Sequence, residues 1–393
     1  MNRRQFSKTV GLGVLGAGAS PLFGTSIAAG TPVVATVSKN DRKEWARQHF
    51  KGMENFVLPS FSPDLKELDE QGIRNDVRHA IRQGFGATTS TALGMTRAER
   101  KRMLEIIADE ARGKILVGGT MGGSTFDEKV EAFKHAESIG VSQTLFSLDP
   151  ALKTEDELYA AAKALIDSTS LGIVLYAQPH DAFLKLDPSG IPVNVLDRLA
   201  NLPNVMAVKL TQVINLAAAY QIAERLSDRV LIGVVHMDTV PLLANKYHLQ
   251  WSGEWAVDAV QSPEKRYAAE FLDLVSQRRM DQAMKVYWAM QPAYQAFYDL
   301  QGPTLLVGGH PWSHIKYYQW LTGGNGGVLR DLKQRPDQVP TLDAKGRKAV
   351  RAALVRVGIK PVDLPDEAFA VGNAAYAKGV KPTDLVGTPQ YSA

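Results

Sequence analysis

Cysteine is absent from the 393-residue chain. That rules out a cysteine nucleophile, a thiolate zinc site, an iron–sulfur cluster and any disulfide. It is compatible with an oxidising compartment without requiring one, since many exported proteins use disulfides. No internal run is long and apolar enough to span a bilayer, so a stable membrane anchor is not expected. No GxGxxG follows an early strand pattern, which argues against a dinucleotide fold. A basic stripe, a finger spacing and an aromatic RNA-binding motif are missing too, so nucleic acid is not an expected partner. The net charge of +4 includes Arg3, Arg4 and Lys8, and without them it falls to about +1.

What is present reads as a soluble globular protein, 45% hydrophobic and 22% charged. The first residues differ from the rest. Asn2-Arg3-Arg4-Gln5-Phe6-Ser7-Lys8 has the paired arginines and following Phe of a twin-arginine export signal. A weakly apolar Gly/Ala stretch follows, ending in small residues, with cleavage expected after Ala28 or Ala29. Residues 1–29 are therefore expected to direct export of a folded, periplasmic protein.

Beyond a polar linker at 31–40, short strand patterns alternate with amphipathic helical ones. Strands are expected at 55–59, 85–89, 115–119, 144–148, 172–177, 205–209, 230–235 and 249–252. Helical periodicity over 96–112, 126–139 and 155–166 lies between them. Eight β-α repeats predict an α/β fold, a (β/α)8 TIM barrel over 45–262. From about 263 to 360 the pattern is helical only, a C-terminal appendage, and 361–393 is expected to be an irregular tail lying on the surface.

Three strand ends carry chemistry. Lys209 closes the apolar run Val205-Met206-Ala207-Val208. In a parallel barrel that end faces the active site, and an amine in partly apolar surroundings can attack a carbonyl. A lysine snorkelling from a strand end into solvent is the bland alternative. Tyr176 ends the fifth strand, as a proton-relaying phenol or a core aromatic with a wet tip. Ala87-Thr88-Thr89-Ser90-Thr91 offers hydroxyls at the second, as a carboxylate cradle or a polar loop capping the next helix. His310 and His314 have an i, i+4 spacing, but the intervening Pro311 and the lack of a third ligand argue against metal. His236 is expected to be a satisfied polar group at the seventh strand end, and Glu254 a helix N-terminal charge rather than an acid/base group. Trp251 and Trp255 stand either at the barrel mouth or in the core, and Gly323-Gly324-Asn325-Gly326-Gly327 reads as a helix stop and flexible loop.

Taken together these segments resemble the dihydrodipicolinate synthase / N-acetylneuraminate lyase family of Schiff-base barrels. Ala87 to Thr91 is similar to the family's Gly-Thr-Thr-Gly-Glu turn, and Thr96-Arg97-Ala98-Glu99-Arg100 to the helix start after it. Leu175-Tyr176-Ala177-Gln178-Pro179 resembles Leu-Tyr-Asn-x-Pro, and Pro203 to Lys209 resembles Pro-Asn-Ile-x-Gly-Ile-Lys. The resemblance implies that Lys209 forms an imine with a 2-oxo acid such as pyruvate, that Thr88 and Thr89 hold its carboxylate, and that Tyr176 relays protons. It implies no metal or organic cofactor, an aldehyde as second partner, and a homo-oligomer, commonly a tetramer.

The departures narrow this. The dihydrodipicolinate-forming members carry an arginine where this chain has His180-Asp181-Ala182-Phe183, and a tyrosine where it has Asp149-Pro150-Ala151-Leu152. Tyr176 to Lys185 instead resembles the Tyr-Ala-Asn-x…Ala-Phe-Lys segment of the hydratase-aldolases. The expected activity is therefore a hydratase-aldolase-like lyase. The alternatives are a Schiff-base dehydratase of a 2-keto-3-deoxy sugar acid, or a periplasmic binding protein that kept the barrel without turnover.

Overall fold

The computed structural model describes residues 37–211, 215–330, 335 and 337–392, so the expected export signal at 1–29 lies outside the described residues. Helix α1 (Arg42–His49) leads into β1 (Gly52–Val57), and strands and helices then alternate. They run α2 (Glu70–Gln83), β2 (Ala87–Ser90), α3 (Arg97–Ala111), β3 (Leu116–Gly119), α4 (Phe126–Ser138), β4 (Gln143–Phe146) and α5 (Glu155–Asp167). The series continues with β5 (Gly172–Ala177), α6 (Val193–Leu199), β6 (Val205–Leu210), α7 (Leu216–Leu226), β7 (Leu231–Val234), α8 (Val240–Ala244) and β8 (Trp251–Gly253).

The eight strands are parallel and ordered β7-β6-β5-β4-β3-β2-β1-β8. At the seam the Ser252 hydroxyl donates to the Val234 carbonyl, bringing β8 against β7. The expected TIM barrel is therefore present. Helix starts are set locally. Thr96 with Glu99, and Thr154 with Glu157, form capping boxes, which satisfy backbone N–H groups that a first turn leaves without partners. The outer strand faces and helices make one apolar layer. A second cluster fills the floor of the barrel, where α1 brings Trp45 and Phe50 against Ala87, Met206 and Trp251. Phe50 stacks on Trp251 at 4.6 Å, and the Gln250 side-chain amide donates to carbonyls at the end of α1. Trp251 is therefore a core residue, packed so closely over Gly233 that a Cβ there would sit 2.0 Å from its ring.

Beyond the barrel come α9 (Tyr267–Ser276), α10 (Met280–Leu306), α11 (Trp312–Leu321) and α12 (Ala344–Arg356), the expected helical appendage. The last residues differ from expectation. Helices α13 (Asp366–Val371) and α14 (Asn373–Tyr376) are ordered, and Phe369 is buried edge-on against Tyr317 at 4.9 Å. Phe369 and Tyr391 give this segment an apolar payload that its prolines and glycines obscured. The glycine cluster is likewise no flexible loop: Asn325 is buried and its N–H donates to Asp76 at 2.6 Å. Among the described residues no helix is long and apolar enough to cross a membrane.

Candidate active site

Lys209 lies next to last on β6, where the pleat turns its side chain into the barrel mouth. The ladder sets Tyr176 of β5 directly beside it. Both line a cavity of about 230 Å³, together with Phe56, Thr211, His310 and Trp312. Lys209 is only 6% exposed, and its Nζ stands 5.1 Å from the Phe56 ring centroid and 5.9 Å from that of Tyr176. Burial pushes its amine below the ordinary lysine value, while the carboxylates of Glu54 and Glu254 act the other way. Burial also raises the Tyr176 phenol, opposed by the Thr211 hydroxyl beside it, so the phenol stays protonated at neutral pH.

A second lysine clarifies what makes the first unusual. Lys316 on α11 is more deeply buried, yet its ammonium donates to the Pro59 carbonyl and to the Ser60 hydroxyl at 3.2 Å. It ties the appendage to the end of β1 and lines no part of the cavity. Burial brings it down to about 8 against the pull of Asp76 and Asp69. Lys209 instead faces open space.

Thr88 and Thr89 do not behave as a pair. Their segment is strand β2 itself, and the turn to α3 comes afterwards, over 91–94. Strand alternation sends neighbouring side chains to opposite faces. Thr88 therefore points away from the cavity, fully buried, and donates to Asn55 Oδ1 at 2.8 Å. Its expected role in binding a carboxylate is not supported by this placement. Thr89 does line the cavity, but its hydroxyl is given to Glu54. The hydroxyls at the rim are those of Thr91, whose N–H and hydroxyl both reach the Val57 carbonyl, and of Thr120 and Ser147.

Several residues at the mouth were not legible from spacing. His310, between α10 and α11, and Trp312, the first residue of α11, stack at 4.9 Å and close one side of the cavity, with Trp312 edge-on to Phe56 at 5.9 Å. Burial brings His310 down to about 4, with the Lys209 charge adding to the effect, so it is neutral at physiological pH. His314 packs instead beside Gly346, turned away from His310. His236 is satisfied as expected, its Nδ1 2.9 Å from the Tyr298 hydroxyl. His180 caps a 3-10 turn over Asp181–Phe183 and brings no cation to the cavity.

Glu254 is the helix-start residue expected: Oε1 accepts the Ala256 N–H at 3.1 Å. It is also fully buried, with Oε2 lacking a partner, and burial lifts it to about 8 from an ordinary 4.5. An unfolded chain ionises this group above about 4.5 whereas the folded one does not until about 8, so its contribution to stability falls as pH rises through that window. Glu254→Gln keeps the acceptor and removes the penalty. It is expected to raise the melting temperature by several degrees at about pH 8.5 and little at about pH 4.5. Calorimetry at the two pH values checks this, and an equal shift at both contradicts it.

An eight-stranded barrel whose mouth holds a buried lysine beside a tyrosine defines a class of lysine-bearing TIM-barrel proteins. Residues 49–235 match the model of the Dihydrodipicolinate synthetase family. The chain is 24% identical over 320 residues to a 4-hydroxy-tetrahydrodipicolinate synthase of Bradyrhizobium diazoefficiens, covering 80% of this chain and 99% of that one. Its fold is similar to that of N-acetylneuraminate lyase from Fusobacterium nucleatum, with a TM-score of 0.60, 16% identity, and 79% and 99% of the two chains covered. Dihydrodipicolinate synthase from Aquifex aeolicus superposes with a TM-score of 0.61 at 17% identity, covering 80% and 100%. The family match covers residues 49–235, and the structural matches show that the barrel fold is shared with these proteins.

Proposed function

We propose that this chain is a lysine-imine lyase of hydratase-aldolase type, joining or cleaving a 2-oxo acid such as pyruvate and an aldehyde. One observation carries the reading: the Lys209 amine is buried and opens into a cavity beside Tyr176. The unprotonated amine attacks the C2 ketone to give a carbinolamine, which loses water to a protonated imine. That imine is an electron sink: loss of a proton from C3 gives an enamine, whose carbon attacks the aldehyde carbonyl. Hydrolysis returns Lys209 and releases product; cleavage runs the same steps backwards, and an unsaturated substrate, held as the conjugated imine, first adds water across its carbon–carbon double bond to give the hydroxylated form that is then cleaved. Tyr176 donates to and accepts from the oxygens that change charge along the way. The aromatic wall of Phe56, His310 and Trp312 suits a flat or apolar aldehyde end.

Substrate profiling tests the reading. Release of pyruvate and an aromatic aldehyde from an aryl-substituted unsaturated pyruvate supports it, and water loss from a 2-keto-3-deoxy sugar acid supports the dehydratase alternative. Binding of these acids without turnover of any would leave a binding protein instead. We also propose a homo-oligomer and export by the twin-arginine route. Arg3→Lys with Arg4→Lys is expected to leave unprocessed protein in the cytoplasm, and normal processing of that variant contradicts the export reading.

A further inference from the structure

Glu54 plays no part in the reading above, yet it lies beneath its centre. It is an acidic side chain on the inner face of β1, only 6% exposed. Donors from three other strands hold it. The Thr89 hydroxyl of β2 and the Gln143 amide of β4, at 3.3 Å, meet Oε1, and the Trp251 indole N–H of β8 meets Oε2 at 3.1 Å. All three donors are neutral. A carboxylate this buried is costly unless a cation offsets it. The nearby cation is Lys209. A Cβ built on Gly253 would lie 3.1 Å from Lys209 Nζ and 3.3 Å from Glu54 Oε2, so both groups border the space that the bare glycine leaves open.

We propose that Glu54 is a positioning residue, a fixed carboxylate that holds the Lys209 side chain at the cavity floor and keeps its amine charged until a keto acid arrives. The inference takes its catalytic meaning from the lysine-imine reading, but the charge pairing stands without it. The other titratable groups facing Lys209 are Tyr176 on β5, Glu254 after β8 and His310 from the α10–α11 segment. Tyr176 stays neutral at physiological pH, Glu254 is neutral up to about 8, and His310 is neutral above about 4. Glu54 is the acid that donors on three strands fix beneath the amine. Its three donors come from strands on both sides of β1, which fixes its position without side-chain slack. This also gives Thr89 a purpose: it orients Glu54 and need not touch substrate.

The test is trace acetylation of the full folded chain with acetic anhydride from about pH 5 to about pH 11, reading the titration midpoint of Lys209 by mass spectrometry. An opposite charge this near favours the ammonium, so removing it lowers the midpoint. Glu54→Gln is expected to lower it by about one pH unit or more. Glu54→Asp keeps the charge and is expected to stay closer to the parent. An unmoved or raised midpoint in folded Glu54→Gln overturns the proposal. If that variant fails to fold, Thr89→Val serves: with one of its donors gone the carboxylate is less well stabilised in its charged form and the Lys209 midpoint falls, whereas an unchanged or raised midpoint overturns the proposal. Borohydride trapping with pyruvate is read separately. A Glu54-dependent midpoint with no trapped adduct in the parent would defeat the imine reading and leave the charge pairing standing.

Discussion

Lys209→Arg is expected to lower kcat by about 10⁴-fold or more while leaving the folded state in place. Arginine keeps a positive charge over Glu54, so the buried carboxylate is not stranded, and any loss of activity is chemical rather than structural. Its guanidinium stays protonated at any working pH and forms no imine. The environment sharpens the contrast. Burial brings the lysine amine below its ordinary value, which increases the fraction of free nucleophile near neutrality, and a guanidinium gains nothing from that. Steady-state kinetics together with a thermal melt checks the prediction. Retention of more than about a tenth of the parent kcat would place the chemistry on another group.

Tyr176→Phe is expected to lower kcat by about 10²- to 10⁴-fold with a smaller change in KM for the 2-oxo acid. The ladder places the phenol beside Lys209, and burial keeps it protonated, so in the proposed lysine-imine cycle it is the proton donor. Carbinolamine breakdown needs a proton on the departing hydroxyl, and Phe removes that donor while preserving the ring that packs beside the lysine. The imine should still be trappable, but more slowly. An unchanged kcat would show that water or another hydroxyl at the rim carries the proton.

Much of the barrel was legible because strand and helix periods alternate in sequence, and boundaries moved by only a few residues. Lys209 and Tyr176 were legible for the same reason: each closes an apolar run whose neighbours on the strand are buried. Thr88 and Thr89 show the limit of that logic. Two threonines in a row look equivalent in sequence, yet the pleat gives one to Asn55 and the other to Glu54, and placing the turn four residues early confused them. Glu54 was missed because the first strand was started at Asn55. An acid between Met53 and the run Phe56-Val57-Leu58 was the available signal. His310 and Trp312 had none, since their arrival at the mouth depends on how α10 and α11 pack across the barrel, a contact between distant segments. Trp251 was left between mouth and core, and its stacking on Phe50 decides for the core.

The departures around Tyr176 and Asp149 also take on a physical meaning. Among the described residues no arginine side chain lines the cavity, and its closed side is aromatic. Among the described residues Lys209 is the cation lining the cavity, and Phe56 and Trp312 offer an apolar wall beside it. That lining is what the proposed lyase reading rests on for its second substrate.

The most direct measurement incubates the protein with pyruvate, reduces with borohydride, and maps the adduct by peptide mass spectrometry. The expected result is a single reduced pyruvyl adduct on Lys209, absent from Lys209→Arg, with Lys316 unmodified. No adduct on Lys209 with any of several 2-oxo acids, or an adduct on another lysine, would contradict the account.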